Sequence, residues 1–272
     1  MLEPVPQQNV ACENAAAESV SVVLMGSLSA AAACFDFVRD HPRLDLVAMV
    51  CRNDEVREPG ESYAIDKALE NGVPVHTMET MPAADLGLSI RFDQILRKRH
   101  RDRFARGVIN LHGAPLPEMR GSMCECAAIL EEASYFGASL HLIDDGVDTG
   151  AILCVDRFEI APDATAGVLL RESNRRGLRM LRDHVDAFLD GRLELSVQEE
   201  AGGRTYRQGD LLRIKHSPLP LNPIRRNRVR RAFHYGAEPL GGSRLLVRLA
   251  AALRSAKHRW VRDGAAQRSS PC

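Results

Sequence analysis

What is scarce in this chain narrows its class before any motif is read. It has one tryptophan and four tyrosines, and aromatic residues fill only 5% of its 272 positions. Its basic charge is almost wholly arginine, the only lysines being Lys67, Lys98, Lys215 and Lys257. No apolar run approaches the roughly 18–20 residues that cross a bilayer, so no transmembrane segment is expected. The first 19 residues carry Glu3, Glu13 and Glu18 and lack a basic stretch leading into an apolar one. They therefore read as a mobile leader rather than a secretory signal. The seven cysteines (Cys12, Cys34, Cys51, Cys124, Cys126, Cys154 and Cys272) are an odd, scattered set. In a chain long enough to bury its own core, that excludes a disulfide scaffold and points to reduced thiols and a cytoplasmic location. A G-x-G-x-x-G dinucleotide fingerprint is also missing.

What is present is a globular composition, 45% hydrophobic and 26% charged, which excludes disorder of the whole chain. The zero net charge conceals an asymmetry. Sixteen basic residues lie from Arg204 onward against three acids, Asp210, Glu238 and Asp263, giving a +13 end and a −13 body. A boundary near Gly202-Gly203 is expected from that change. Three segments follow: a leader over 1–19, a main domain over 20–202 and a basic C-terminal extension over 203–272.

The main domain alternates strand-like and helical stretches. Apolar runs of strand length occur at 20–25, 44–51 and 107–112, with a further one within 85–96. Helical stretches fall at 30–40, 63–71 and 166–189, the second stopped by Gly72 and the third by Asp190-Gly191. A short strand is expected at 73–75, and a strand pair at 140–143 and 151–155 around a tight acidic turn. This alternation predicts an α/β fold with a mainly parallel sheet. Such sheets bind ligands beyond the carboxyl ends of their strands. The first such end is Gly26-Ser27-Leu28-Ser29, where a helix N-terminus can hold an anion or a serine can simply cap the helix.

Two stretches carry chemistry. Asn110 and His112 end an apolar run and, two apart on a strand, face the same way. Behind them Gly113, Pro115, Pro117 and Arg120-Gly121 form a rigid loop suited to a site wall. Further on, Gly137 to Gly150 holds His141 and the aspartates Asp144, Asp145 and Asp148 in one tight turn. Each feature alone reads as structure, a satisfied strand-end histidine and an Asp-Gly hairpin. Together they are specific.

Residues 20–195 resemble the folate-dependent formyltransferases, which use 10-formyltetrahydrofolate. The signature of that family is Asn-x-His, a loop ending in Arg-Gly, then Gly-x-x-x-His-x-x-Asp-x-Gly-x-Asp-x-Gly. In this chain those elements are Asn110-Leu111-His112, the loop 114–121, and 137–150. The resemblance implies a Rossmann-like formyltransferase fold with Asn110, His112 and Asp148 as the catalytic set. Asn110 and an imidazolium N–H of His112 would steady the oxyanion of the tetrahedral intermediate, and Asp148 would orient the imidazole and relay the proton. It further implies a folate wall from Ile90, Phe92 and Ile95 and from Leu142, Asp144, Gly146 and Asp148. Phe92 and Ile95 can equally be core. Arg120 and Gly121 fall on the acceptor side.

The chain departs from the family at Ala114-Pro115, where relatives often have Ser-Leu, and at Ser122-Met123-Cys124, where a proline is common. The Cys124-Glu125-Cys126 triplet lacks a second ligand pair at zinc spacing, so buried thiols opening a helix over 126–132 are expected, and no metal. The segment 78–85 is too short for the helix found there in longer relatives.

The acceptor must be read from the extension. Residues 204–210 and 228–239 look most like the end of sugar-nucleotide N-formyltransferases, which are related to methionyl-tRNA formyltransferase. That likeness implies a primary amine on a nucleotide-linked sugar or similar small metabolite, and often a homodimer contact. Arg225, Arg226, Arg228, Arg230 and Arg231 could meet a diphosphate or remain a solvated tail. A basic end also suits tRNA phosphates, though few aromatics accompany it; no DNA partner is implied. Residues 244–260 form a basic amphipathic helix for self-packing or a membrane surface. A formyltetrahydrofolate hydrolase is the remaining alternative, and its usual N-terminal regulatory domain does not fit in the leader.

Overall fold

The computed structural model describes residues 19–51, 63–199 and 203–235. Most of the leader and the amphipathic stretch 244–260 lie outside the described residues. The chain builds a seven-stranded sheet. Its strands are β1 (Val20–Met25), β2 (Leu44–Val50), β3 (Val75–His76), β4 (Leu86–Ile90), β5 (Val108–His112), β7 (Tyr135–Leu142) and β8 (Ile152–Glu159). In space they run β3-β2-β1-β4-β5-β7-β8, parallel as far as β5 and antiparallel for β7 and β8. The order reverses at β1, which has β2 on one side and β4 on the other. Loops leaving β1 and β4 at their carboxyl ends therefore diverge and leave a crevice, as sheets of this kind require.

One face of the sheet is covered by α1 (Ser29–Asp40) and α5 (Ala166–Leu189). α5 buries Leu169, Leu170, Ser173, Gly177, Leu178, Leu181 and Val185, at three- and four-residue spacings that make one stripe. Its N-cap is Thr165, whose hydroxyl accepts from the Val168 N–H. α2 (Ala64–Glu70) packs beside α1. The opposite face is covered by the segment around α3 (Lys98–Arg101), through Met81, Leu96 and Phe104. No helix forms between Met78 and Asp85. No helix among the described residues is long and apolar enough to cross a membrane.

The start of α1 differs from the serine-capped helix considered above. Leu28 is the N-cap and makes no side-chain cap bond, while Ser29 is already helical. The helix begins tight against the strand end, where Gly26 at φ 148 passes so close to Ile90 that a Cβ would lie 2.4 Å from its carbonyl oxygen.

The charge boundary is not a break in packing. β6 (Met119–Gly121) pairs in parallel with β9 (Arg204–Tyr206). α4 (Cys124–Leu130) packs against α7 (Pro223–Ala232), and α6 (Gln208–His216) lies between β9 and α7 in the chain. Tyr206, Leu211, Ala232 and Tyr235 share one core cluster with Cys126, Ala127 and Leu169. An apolar core shared across residue 203 makes 203–235 part of the same body.

Candidate active site

Strand register brings the polar groups together. Ser89 of β4 pairs with Asn110 of β5, and Asn110 with His141 of β7, so three adjacent strands present one row of side chains. The Ser89 hydroxyl donates to Asn110 Oδ1 at 2.7 Å, and Asn110 Nδ2 faces His141 Nε2 at 3.0 Å. His141 Nδ1 lies 2.8 Å from the Leu142 carbonyl oxygen, which can only accept. Nδ1 therefore carries the hydrogen, and Nε2 receives the amide N–H. One hydrogen of the Asn110 amide is left for the cavity.

His112 lies on the same face, two residues beyond Asn110. Its Nε2 is 2.8 Å from the Met119 carbonyl oxygen and so donates there. Nδ1 looks toward Asp148 Oδ2 at 3.5 Å, and Asp148 Oδ1 stands 3.5 Å from His141 Nε2. The Gly121 N–H fixes the carboxylate, donating to Oδ2 at 2.7 Å. Burial pushes the His112 imidazole below its ordinary value, against the pull of Asp148. Burial also pushes the Asp148 carboxyl up, but His112, His141 and the Gly121 N–H outweigh it and hold the group well below the carboxylate range. Burial thus pulls the imidazole toward its neutral form, while its neighbours pull the carboxyl toward the charged one.

These groups stand at a cavity of about 340 Å³. Ser27 and Ser29 from the β1 loop, 91–96 from the β4 loop and the 143–148 turn line it, with Leu170 and Asn174 of α5. Left-handed backbone gathers at the cavity. Arg91 (φ 54), Met123 (φ 59) and Asp148 (φ 54) are three of the four non-glycine residues with positive φ among the described residues, and all three line it. Each such residue costs roughly 1 kcal/mol or more, which the surrounding packing must offset. Ile95 and Val147, 74% and 49% exposed, leave apolar groups at the rim.

Residues 75–183 match the formyl transferase family, and that span holds the whole Asn110, His112, His141 and Asp148 cluster. The chain carries a formyl transferase domain. Curated relatives include the methionyl-tRNA formyltransferase of Myxococcus xanthus, 31% identical over 200 residues, covering 66% of this chain and 62% of that protein. The chain thus spans about three fifths of the length of that relative. Among solved structures, the N-formyltransferase of Helicobacter canadensis, in complex with folinic acid and dTDP-3-aminofucose, shares the fold. Its TM-score is 0.66 at 20% identity, over 78% of this chain and 80% of that one. A 4-N formyltransferase from Francisella tularensis gives 0.68 at 14% identity, over 80% and 90% of the two chains.

Within the formyl transferase domain, the residues singled out from sequence fall into two groups. Asn110, His112, Asp148, Phe92, Ile95, Asp144, Gly146 and Gly121 line the cavity. Ile90 and Leu142 do not. Strand alternation turns Ile90, next to Ser89, into the core, and Leu142 packs against that core while its carbonyl takes the His141 N–H. Arg120 is also turned away and is only 6% exposed. Its guanidinium donates to Gln198 Oε1 at 2.8 and 3.1 Å, and Gln198 Nε2 in turn donates to the carbonyls of Asp148 and Gly150. Arg120 braces the aspartate turn instead of contacting the cavity.

Arg91 and Gln208 line the cavity from stretches the sequence already placed at the site, 90–96 and 204–210, whereas Ser89 and Asn174 carry no sequence signal and His141 stands in the motif without an assigned role. Cys124 and Cys126 are buried thiols, as expected, on a helix that begins at Cys124. Among the described residues, no three His, Cys, Asp or Glu side chains converge as metal ligands. The arginines of α7 do not reach the cavity. Arg228 pairs with Glu132, Arg231 donates to the Ala164 carbonyl, and Arg226 to those of Pro220 and Leu221.

Proposed function

We propose that the chain transfers the formyl group of 10-formyltetrahydrofolate to a primary amine of a nucleotide-linked amino sugar or similar small metabolite. The observation that carries this reading is the convergence of Asn110, His112 and Asp148 at one cavity, with the hydrogen positions on Asn110 and His112 fixed by their neighbours. The folate is assigned to the part of the cavity at Phe92, Ile95, Ile143 and Val147, whose apolar side chains line it beside Asp144.

In the reaction, the free amide hydrogen of Asn110 donates to the formyl oxygen as negative charge builds there. One such donor is worth about 3–4 kcal/mol at the transition state. The amine nitrogen bonds to the formyl carbon and passes its proton to Nδ1 of His112, which bears the lone pair in the neutral form because Nε2 keeps its hydrogen on Met119. The new imidazolium rests against Asp148, and the proton then goes to the folate nitrogen as its bond to the formyl carbon breaks. His112 thus serves as the base, because its Nε2 hydrogen is held by Met119 and is not free to steady the oxyanion.

A second reading, a methionyl-tRNA acceptor, is favoured by the name of the Myxococcus xanthus relative, whose similarity spans 200 residues. The test is tetrahydrofolate release, followed by absorbance, with a panel of nucleotide-linked amino sugars and with charged initiator tRNA. Turnover that requires a sugar supports the first reading. Turnover only with tRNA replaces the sugar by the second, and turnover with no acceptor means hydrolysis.

A further inference from the structure

Glu125 is a buried carboxylate that the reaction above does not use. It lies in the first turn of α4, is 3% exposed, and lines the cavity beside Ser122, Met123 and Gln208. One oxygen, Oε1, accepts from the Tyr235 hydroxyl at 3.0 Å. The same hydroxyl lies 3.0 Å from the Cys126 sulfur, whose thiol burial keeps protonated and so able to donate. The second oxygen of Glu125 makes no hydrogen bond among the described residues and is not one of their fully buried unpartnered atoms, so it keeps contact with open space at the cavity.

The seat of Tyr235 is itself built. Its backbone passes so near Gly167 of α5 that a Cβ there would lie 2.4 Å from the Tyr235 carbonyl oxygen. The Gly167 N–H donates to the neighbouring His234 carbonyl. The C-terminal segment therefore reaches back to aim a carboxylate into the cavity. Glu125 lines the same cavity as Asn110, His112 and Asp148, and the charges of both Glu125 and Asp148 bear on the Cys124 thiol.

Resting on the formyl-transfer reading, we propose that Glu125, positioned by Tyr235, recognises a hydroxyl group next to the reacting amine of the acceptor. The partners beside it, Ser122 and Gln208, are hydrogen-bonding groups, as a polyol requires. The charged side chains around the cavity are Arg91 against Asp93, Glu125, Asp144 and Asp148, a balance that suits an amine with hydroxyls and disfavours phosphate inside the cavity. A methionyl amine has an ester carbonyl at that distance in place of a hydroxyl, and a carbonyl oxygen only accepts, so it gives the carboxylate no hydrogen. The acceptor class is thus a hydroxylated amine such as an amino sugar, its nucleotide lying outside the cavity.

The experiment compares dTDP-linked amino sugars with analogues lacking the hydroxyl beside the amine, in wild type, Glu125→Gln and Tyr235→Phe. Wild type is expected to prefer the hydroxylated sugar by about a hundredfold or more in kcat/KM, since a site built for a hydroxyl rejects its absence. Glu125→Gln should lose most of that preference through acceptor KM, with KM for 10-formyltetrahydrofolate unmoved. Tyr235→Phe should shift the same parameter in the same direction by less. A wild type indifferent to the hydroxyl overturns the proposal without any variant being needed. So does a Glu125→Gln loss that falls on the folate KM, or that follows the melting temperature. A wild type inert with every sugar instead contradicts the sugar reading, and this inference falls with it.

Discussion

Asn110 has every group of its amide but one committed, Oδ1 to Ser89 and one N–H to His141. Asn110→Ala removes the remaining donor from the formyl oxygen, so kcat should fall by about 10²–10³-fold, with the folate KM little changed. Steady-state kinetics beside a thermal melt check this, and a parallel collapse of the melt would make Asn110 structural. His112 gives a pH signature. Its folded pKa lies below the unfolded value near 6.5, so between the two the unfolded chain binds the extra proton and stability falls as pH drops. Asp148 acts lower down: its folded pKa is depressed, so its contribution is present above its unfolded value near 3.9 and is lost as pH falls through the folded one. Urea midpoints at about pH 7.5 and about pH 5.5 should therefore fall for wild type, and fall less for His112→Gln. The residue types at this site were legible because the spacing of Asn110, His112 and Asp148 is written in the chain. Ser89 was not legible, because nothing local to 86–90 says that it pairs with Asn110.

At the scale of elements, periodicity gave the strands and helices, and register gave the site. The stretch 166–189 was readable from its helical pattern and its Asp190-Gly191 stop, and the structure adds a Thr165 cap that agrees with both. The cavity wall was half readable. The loop 91–96 does line the cavity, but Ile90 and Leu142 sit one step off, on the other face of their strands, and alternation decides that only once register is known. Arg120 was misread for a related reason. Its partner Gln198 lies 78 residues away in a stretch without a motif. Gly121 makes the β6–β9 contact testable. Its φ is +90, and a Cβ would stand 2.2 Å from the Tyr206 carbonyl oxygen. Gly121→Ala should cost roughly 3 kcal/mol in urea unfolding and reduce activity, because the same residue holds Asp148. Wild-type stability in that variant would mean that β9 does not need the close approach.

For the whole molecule, the charge split near residue 203 marks a change of composition inside one packed body. Tyr206, Leu211 and Tyr235 were hidden in the basic stretch, where charge count masks a sparse apolar pattern that becomes visible only against α4 and α5. The α7 arginines Arg226, Arg228 and Arg231 are tied to carbonyls and to Glu132. A small acceptor should accordingly show an acceptor KM that moves only a few-fold between about 50 and 200 mM salt, whereas an acceptor held by several phosphate contacts would lose orders of magnitude. Whether the cavity joins a folate to an amine is tested directly by one measurement. The enzyme is given 10-formyltetrahydrofolate labelled with ¹³C in the formyl group, together with a nucleotide-linked amino sugar, and the label is followed by NMR. The label is expected in a formamide on the sugar, in step with tetrahydrofolate, and to be lost in Asn110→Ala. Label appearing as free formate, or remaining on the folate, would contradict that transfer.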